Sequence, residues 1–207
     1  MKVIVVVGKA NADDEANRII DRFWERAIMV KAVLMRHLGF YARDILVLTS
    51  DGSAGSSVRL QKQLETALMG HRDEDVCLFY AGHGMEDGWA LSGIRDNESL
   101  SYSDLGLLLA QHHGNLILVN YCCFAGAAVA AFSHKAGEWL LIAAMPADRS
   151  DAAYRFCAYV MRSWMQRSFF DPHASSESDL YVPPVLGNES LQKLLFDRSQ
   201  RRIAYEQ

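Results

Sequence analysis

Two stretches decide the fold: "DVCLFYAGHG" at residues 75–84 and "LILVNYCCFAG" at residues 116–126. Each is an apolar, strand-forming run that stops abruptly in glycine and a chemically active side chain. A continuous apolar run of this length reads as a strand buried on both faces, as in a parallel sheet. Working outward, Val3 to Val7 make a similar run ending at Gly8, "DILVLT" (44–49) makes another, and "WLLIAAM" (139–145) a fifth.

Helical periods fill the gaps. Between residues 14 and 38, Ile19, Ile20, Phe23, Ala27, Met29, Val30, Val33, Leu34 and Leu38 recur at three- and four-residue steps, and Gly39 is a natural stop. Val58, Leu60, Leu64, Ala67 and Leu68 predict a second helix over 57–69. "SYSDLGLLLAQHH" (101–113) predicts a third, with Ser101 or Ser103 as N-cap. "AGAAVAAF" reads as a small helix, "DGWALSG" as a short hairpin arm, and residues 150–167 as a long helix. Strands alternating with helices predict right-handed crossovers, hence an α/β domain with a mainly parallel twisted sheet and helices on both faces.

The 207 residues, half apolar and about a fifth charged, suit one soluble globular domain. Domain boundaries are drawn at 1–167. Residues 168–207 begin with a Pro- and Ser-rich irregular arm and end in a short amphipathic segment that packs back through Leu191, Leu194, Leu195 and Phe196. A net charge of −4 argues against a general nucleic-acid or anionic-membrane surface. Residues 116–132 are almost uncharged, but carry Asn120 and fall short of a membrane span. Four cysteines without a CxxC pair give neither a disulfide framework nor a metal tetrad. They read as free thiols of a reducing, cytoplasmic compartment.

In parallel sheets, reactive groups gather beyond the carboxyl ends of the strands, so "GHG" and "CCFAG" should share one rim. Cys123 precedes the small helix, whose positive end favours a thiolate. His83 stands between Gly82 and Gly84, where backbone approaches a substrate closely. The Gly84 and Cys123 amides together make a two-donor pocket for an oxyanion. Gly126 lets the chain turn beneath the thiol. These parts fit acyl transfer.

The same residues resemble the histidine and cysteine signatures of caspase-like and metacaspase-like cysteine peptidases of the caspase–hemoglobinase fold. In that family one strand ends Y-S-G-H-G and another D-x-C-x-S-G. The resemblance covers about residues 1–167. It implies a caspase-like domain without an organic cofactor, in which Cys123 attacks a peptide carbonyl and His83 transfers the proton. Placing Gly126 on the motif glycine makes Cys123 the nucleophile and Cys122 a packing residue on the other side of the strand. Tyr121 stands where metacaspases carry an acidic pocket residue and caspases a glutamine, and supplies neither group.

Further pocket candidates are Asp13 and Asp14, which with Glu15 also suit a helix N-terminus or Ca²⁺, and Glu86 beside Asp87. No metal site is predicted. The implied partners are protein or peptide substrates, in cell-death, stress or defence pathways, and a regulatory protein. The short stretch 124–138 before the next strand predicts an enzyme active as one uncleaved chain. Two rivals are a catalytically silent caspase-fold module that binds a partner, and a flavodoxin-like small-molecule binder. No Gly-rich phosphate motif favours the latter.

Overall fold

A computed structural model describes residues 1–8, 14–49, 55–91, 99–149, 156–166 and 185–196, with side chains of 14–22 and 56 left aside. The elements are β1 (Lys2–Val7), α1 (Asp14–Arg36), β2 (Ile45–Thr49), α2 (Ser56–Gly70), β3 (Val76–Ala81), β4 (His83–Met85), β5 (Gly88–Ala90), β6 (Ser99–Ser101), α3 (Tyr102–Ala110), β7 (Leu116–Tyr121), β8 (Trp139–Ala143), α4 (Phe156–Met165) and β9 (Val185–Gly187). The main sheet has the order β2-β1-β3-β7-β8-β9. Its first five strands are parallel, and β9 runs antiparallel to β8.

Every residue of β3 and β7 is buried, which explains their apolar sequences, broken only by Asn120 in β7. Alternation then assigns the two faces. Phe79 of β3 meets Trp164 of α4, and Tyr121, just across the sheet from Ala81, meets Phe156 of α4 and Phe23 of α1. That face therefore lies under α1 and α4. The alternate residues Tyr80, Asn120 and Cys122 face Trp89 of β5 and Tyr102 of α3. The result is a single α/β domain with helices on both sides of the sheet.

Several elements differ from the sequence reading. The hairpin arm is the middle of a three-stranded antiparallel sheet, β4-β5-β6, and His83 opens its first strand. The small helix is a 3-10 helix over Ala125–Phe132. α3 stops at Ala110, so His112 and His113 lie beyond it. Ser101 is its cap, accepting from the Asp104 amide at 2.9 Å. β9, from the stretch read as an irregular arm, completes the sheet. Beyond it Leu191 and Leu195 are buried. The start of the helix read at 150–167 lies outside the described residues, as does most of the arm.

Candidate active site

The parallel register carries Ala81 of β3 beside Tyr121 of β7, and the Gly82 amide extends it by donating to the Tyr121 carbonyl at 3.3 Å. His83 and Cys123 each follow two residues beyond that matched pair. Past His83, the Gly84 backbone lies against the Cys122–Cys123 peptide. A Cβ at Gly84 would collide with the Cys123 carbonyl oxygen and stand 2.8 Å from the Cys122 Sγ. The glycine is thus required by close approach of two backbone segments. The structure brings His83, Gly84 and Cys123 together at one end of the sheet.

His83 is half-buried, and the Phe23 ring of α1 meets its imidazole edge-on, with centroids 5.4 Å apart. Burial lowers the proton affinity of the imidazole below its ordinary value. Its backbone carbonyl accepts the Tyr80 hydroxyl at 2.7 Å.

Cys123 is partly exposed, whereas Cys77, Cys122 and Cys157 are buried. Burial pushes the Cys77 and Cys157 thiols up to about 12, and the Cys122 thiol up as well. Cys122 faces inward, its Sγ 3.3 Å from Asn120 Oδ1 and 3.9 Å from the Tyr102 hydroxyl.

Directly after Cys123, Phe124 adopts a left-handed conformation (φ 52°), the one non-glycine residue to do so among those described. Such a backbone costs roughly 1–2 kcal/mol. It is held by its amide, which donates to the Arg149 carbonyl at 2.8 Å, and by the Gly126 amide, which donates to Met145 at 2.8 Å. A Cβ at Gly126 would lie 2.9 Å from the Ala147 nitrogen, so glycine is needed beneath the turn. These two amides are committed to backbone carbonyls. The expected stabilisation of the thiol by a free helix N-terminus is correspondingly reduced.

No family profile matches the chain, and no curated protein matches it. Among solved structures, one it is similar to is the X-ray structure of a secreted C11 cysteine protease from Bacteroides thetaiotaomicron in complex with an irreversible peptide inhibitor. The two share 10% sequence identity, over 93% of this chain and 67% of that one, with a TM-score of 0.45.

Tyr121 is 8% exposed, under Phe23 (5.9 Å) and against Phe156 (6.0 Å), with Arg26 beside its hydroxyl. Glu86 is exposed in the turn between β4 and β5. Asp14 begins α1, and Asp13 lies outside the described residues. Among the described residues no His, Cys, Asp and Glu cluster could hold a metal ion, and no helix is long and apolar enough to cross a membrane.

The sequence reading missed Phe23, Tyr80, Trp89, Tyr102 and Asn120 as site residues. The available signal was Asn120, a polar residue inside an otherwise apolar strand.

Proposed function

We propose that this chain is a caspase-like cysteine endopeptidase acting through His83 and Cys123. The observation that carries the reading is the packing of the Gly84 backbone on the Cys122–Cys123 peptide, which sets the imidazole-bearing and thiol-bearing segments against each other. Cys123 Sγ would give its proton to His83 and form a C–S bond to the peptide carbonyl. His83 would pass that proton to the leaving amine, and water would then release the acyl group from sulfur. The Gly84 and Cys123 amides are the proposed oxyanion donors. Gly84 pairs with Trp89 one rung from the two-residue turn, a rung that leaves its amide uncommitted to β5.

The substrates would be proteins or peptides, in a regulated cell-death, stress or defence setting. Four free thiols suit a reducing cytoplasmic location. No organic cofactor is needed by this chemistry, and Ca²⁺ would act only as an activator. Residues 1–167 would form the peptidase domain. Asp13, Asp14 and Glu86 are proposed to contact substrate, and Tyr121 to form the pocket wall beneath Phe23. Because Tyr121 offers neither carboxylate nor amide, neither the basic residue of metacaspases nor the aspartate of caspases is assigned to the position before the cut.

Digestion of a peptide library by the parent, Cys123→Ala and Cys122→Ala proteins tests the assignment. Cleavage should vanish in the first variant and persist in the second. Cleavage surviving in Cys123→Ala would overturn it.

The burial of Tyr121 under Phe23 favours a second reading, a silent module that binds a partner. A thiol-directed probe separates the two: an activated Cys123 reacts at neutral pH far ahead of the other cysteines.

A further inference from the structure

Asn120 has no exposed surface and sits in β7 among Leu116, Ile117, Leu118 and Val119. An amide buried there costs about 1–3 kcal/mol unless its hydrogen bonds are replaced. All of them are. Oδ1 accepts from the Trp89 indole N–H at 2.9 Å and from the Cys122 thiol at 3.3 Å. Nδ2 donates to the Ala125 carbonyl at 2.9 Å and to the Tyr102 hydroxyl at 3.3 Å. The Ala125 bond ties the strand to the chain beyond Cys123, so the thiol sits within a closed loop.

A second grip holds the histidine. The Tyr80 hydroxyl donates to the His83 carbonyl at 2.7 Å, with the Ala90 carbonyl sharing the proton at 3.1 Å. There is no slack around it: a Cβ at Gly8 would stand 2.6 Å from that oxygen, and one at Gly82 would collide with it. Burial keeps this phenol protonated and therefore a donor. The Trp89 indole joins the grips, stacked on the Tyr80 ring with centroids 4.2 Å apart and planes 3° off parallel, while its N–H reaches Asn120.

We propose that Tyr80, Trp89 and Asn120 form one buried brace that sets the position of His83 relative to Cys123, and that all three are positioning residues for the thiol chemistry. The proposal rests on the peptidase reading above, deepening it. None of the three side chains touches the reacting atoms. Tyr80 and Asn120 each act through the backbone on one side of the dyad, and the Trp89 indole links the two.

The test uses the full chain. Trp89→Phe keeps an aromatic ring over Tyr80 but deletes the indole donor, and Tyr80→Phe deletes the hydroxyl alone. The rate of Cys123 alkylation by iodoacetamide is followed against pH, with mass spectrometry locating the label, alongside thermal midpoint and peptide turnover. Each variant should alkylate about 10- to 100-fold more slowly, as misplacing a reacting group by an ångström does. Its pH profile should shift toward that of an ordinary thiol near pH 8.5. Combining the two changes should cost little more than the larger alone, since the brace acts as a unit. Leu195→Ala, a buried position that makes none of the brace's hydrogen bonds or ring contacts, should lower the thermal midpoint yet leave rate and profile as in the parent.

Parent-like rate and pH profile in both variants would overturn the brace. If Tyr80→Phe does not fold, Trp89→Phe decides alone. If the parent cleaves no peptide but the variants still change Cys123 alkylation, the peptidase reading fails and the brace stands. If the parent cleaves and neither turnover nor alkylation changes in the variants, the brace fails and the peptidase reading stands.

Discussion

His83 loses proton affinity because Phe23 and the surrounding protein strip water from its ring. The imidazole therefore stays neutral to lower pH than the usual value of about 6.5. The acid limb of Cys123 alkylation, or of peptide cleavage, should fall below that value, and Phe23→Ala should raise it by rehydrating the ring. The stability sign is the same: the unfolded imidazole binds its proton first, so the folded state loses ground as pH falls through the ordinary histidine range. A titration of thermal midpoint against pH reads this directly. At Gly84, alanine has no space between the strands. Gly84→Ala should abolish cleavage and lower the thermal midpoint, whereas Cys122→Ala should keep cleavage and lose about 1–2 kcal/mol in a denaturant titration. His83 and Cys123 could be singled out from sequence because each lies two residues beyond a buried apolar strand. The role of Asn120 could not, since its partners Trp89, Tyr102 and Ala125 come from three other segments.

At the level of elements, legibility followed length and side-chain size. β7 was readable to its ends, Leu116–Tyr121, because six successive buried positions admit little else. β4, β5 and β6 have three residues each, too few for a period to declare itself. The Ala- and Gly-rich run 125–132 presents small side chains on every face, so its 3-10 winding is set by tertiary bonds such as Gly126 to Met145. β9 follows the proline-rich stretch and forms only because the β8 edge offers unpaired backbone. Its continuation carries Leu195, fully buried. Leu195→Ala should cost about 2–5 kcal/mol by chemical denaturation while leaving cleavage per folded molecule unchanged.

Across the whole molecule, the connection from Cys123 back into the sheet begins as a 3-10 helix with one buried side and ends in the exposed residues 136–138 before β8. Ala125, Gly126, Ala128, Ala131 and Phe132 are buried, and Phe132 stacks on Trp139 at 4.5 Å across the turn that precedes β8. This supports the proposal that the enzyme works as one chain, and intact mass measured on active, probe-labelled protein should equal that of the full polypeptide. Obligatory cutting between 124 and 138 would refute it. The pairing of β3 with β7 also constrains how such a chain can change over time. Val76 lies opposite Leu116, and His83 and Cys123, the proposed dyad, each follow their strand's first residue by the same seven steps. Adding or deleting one residue inside either seven-step run would turn one group toward the opposite helical layer. The span between the two runs tolerates insertions far better wherever it crosses the surface. Divergent descendants should therefore differ in the spacing between histidine and cysteine, while the countdown to each stays fixed.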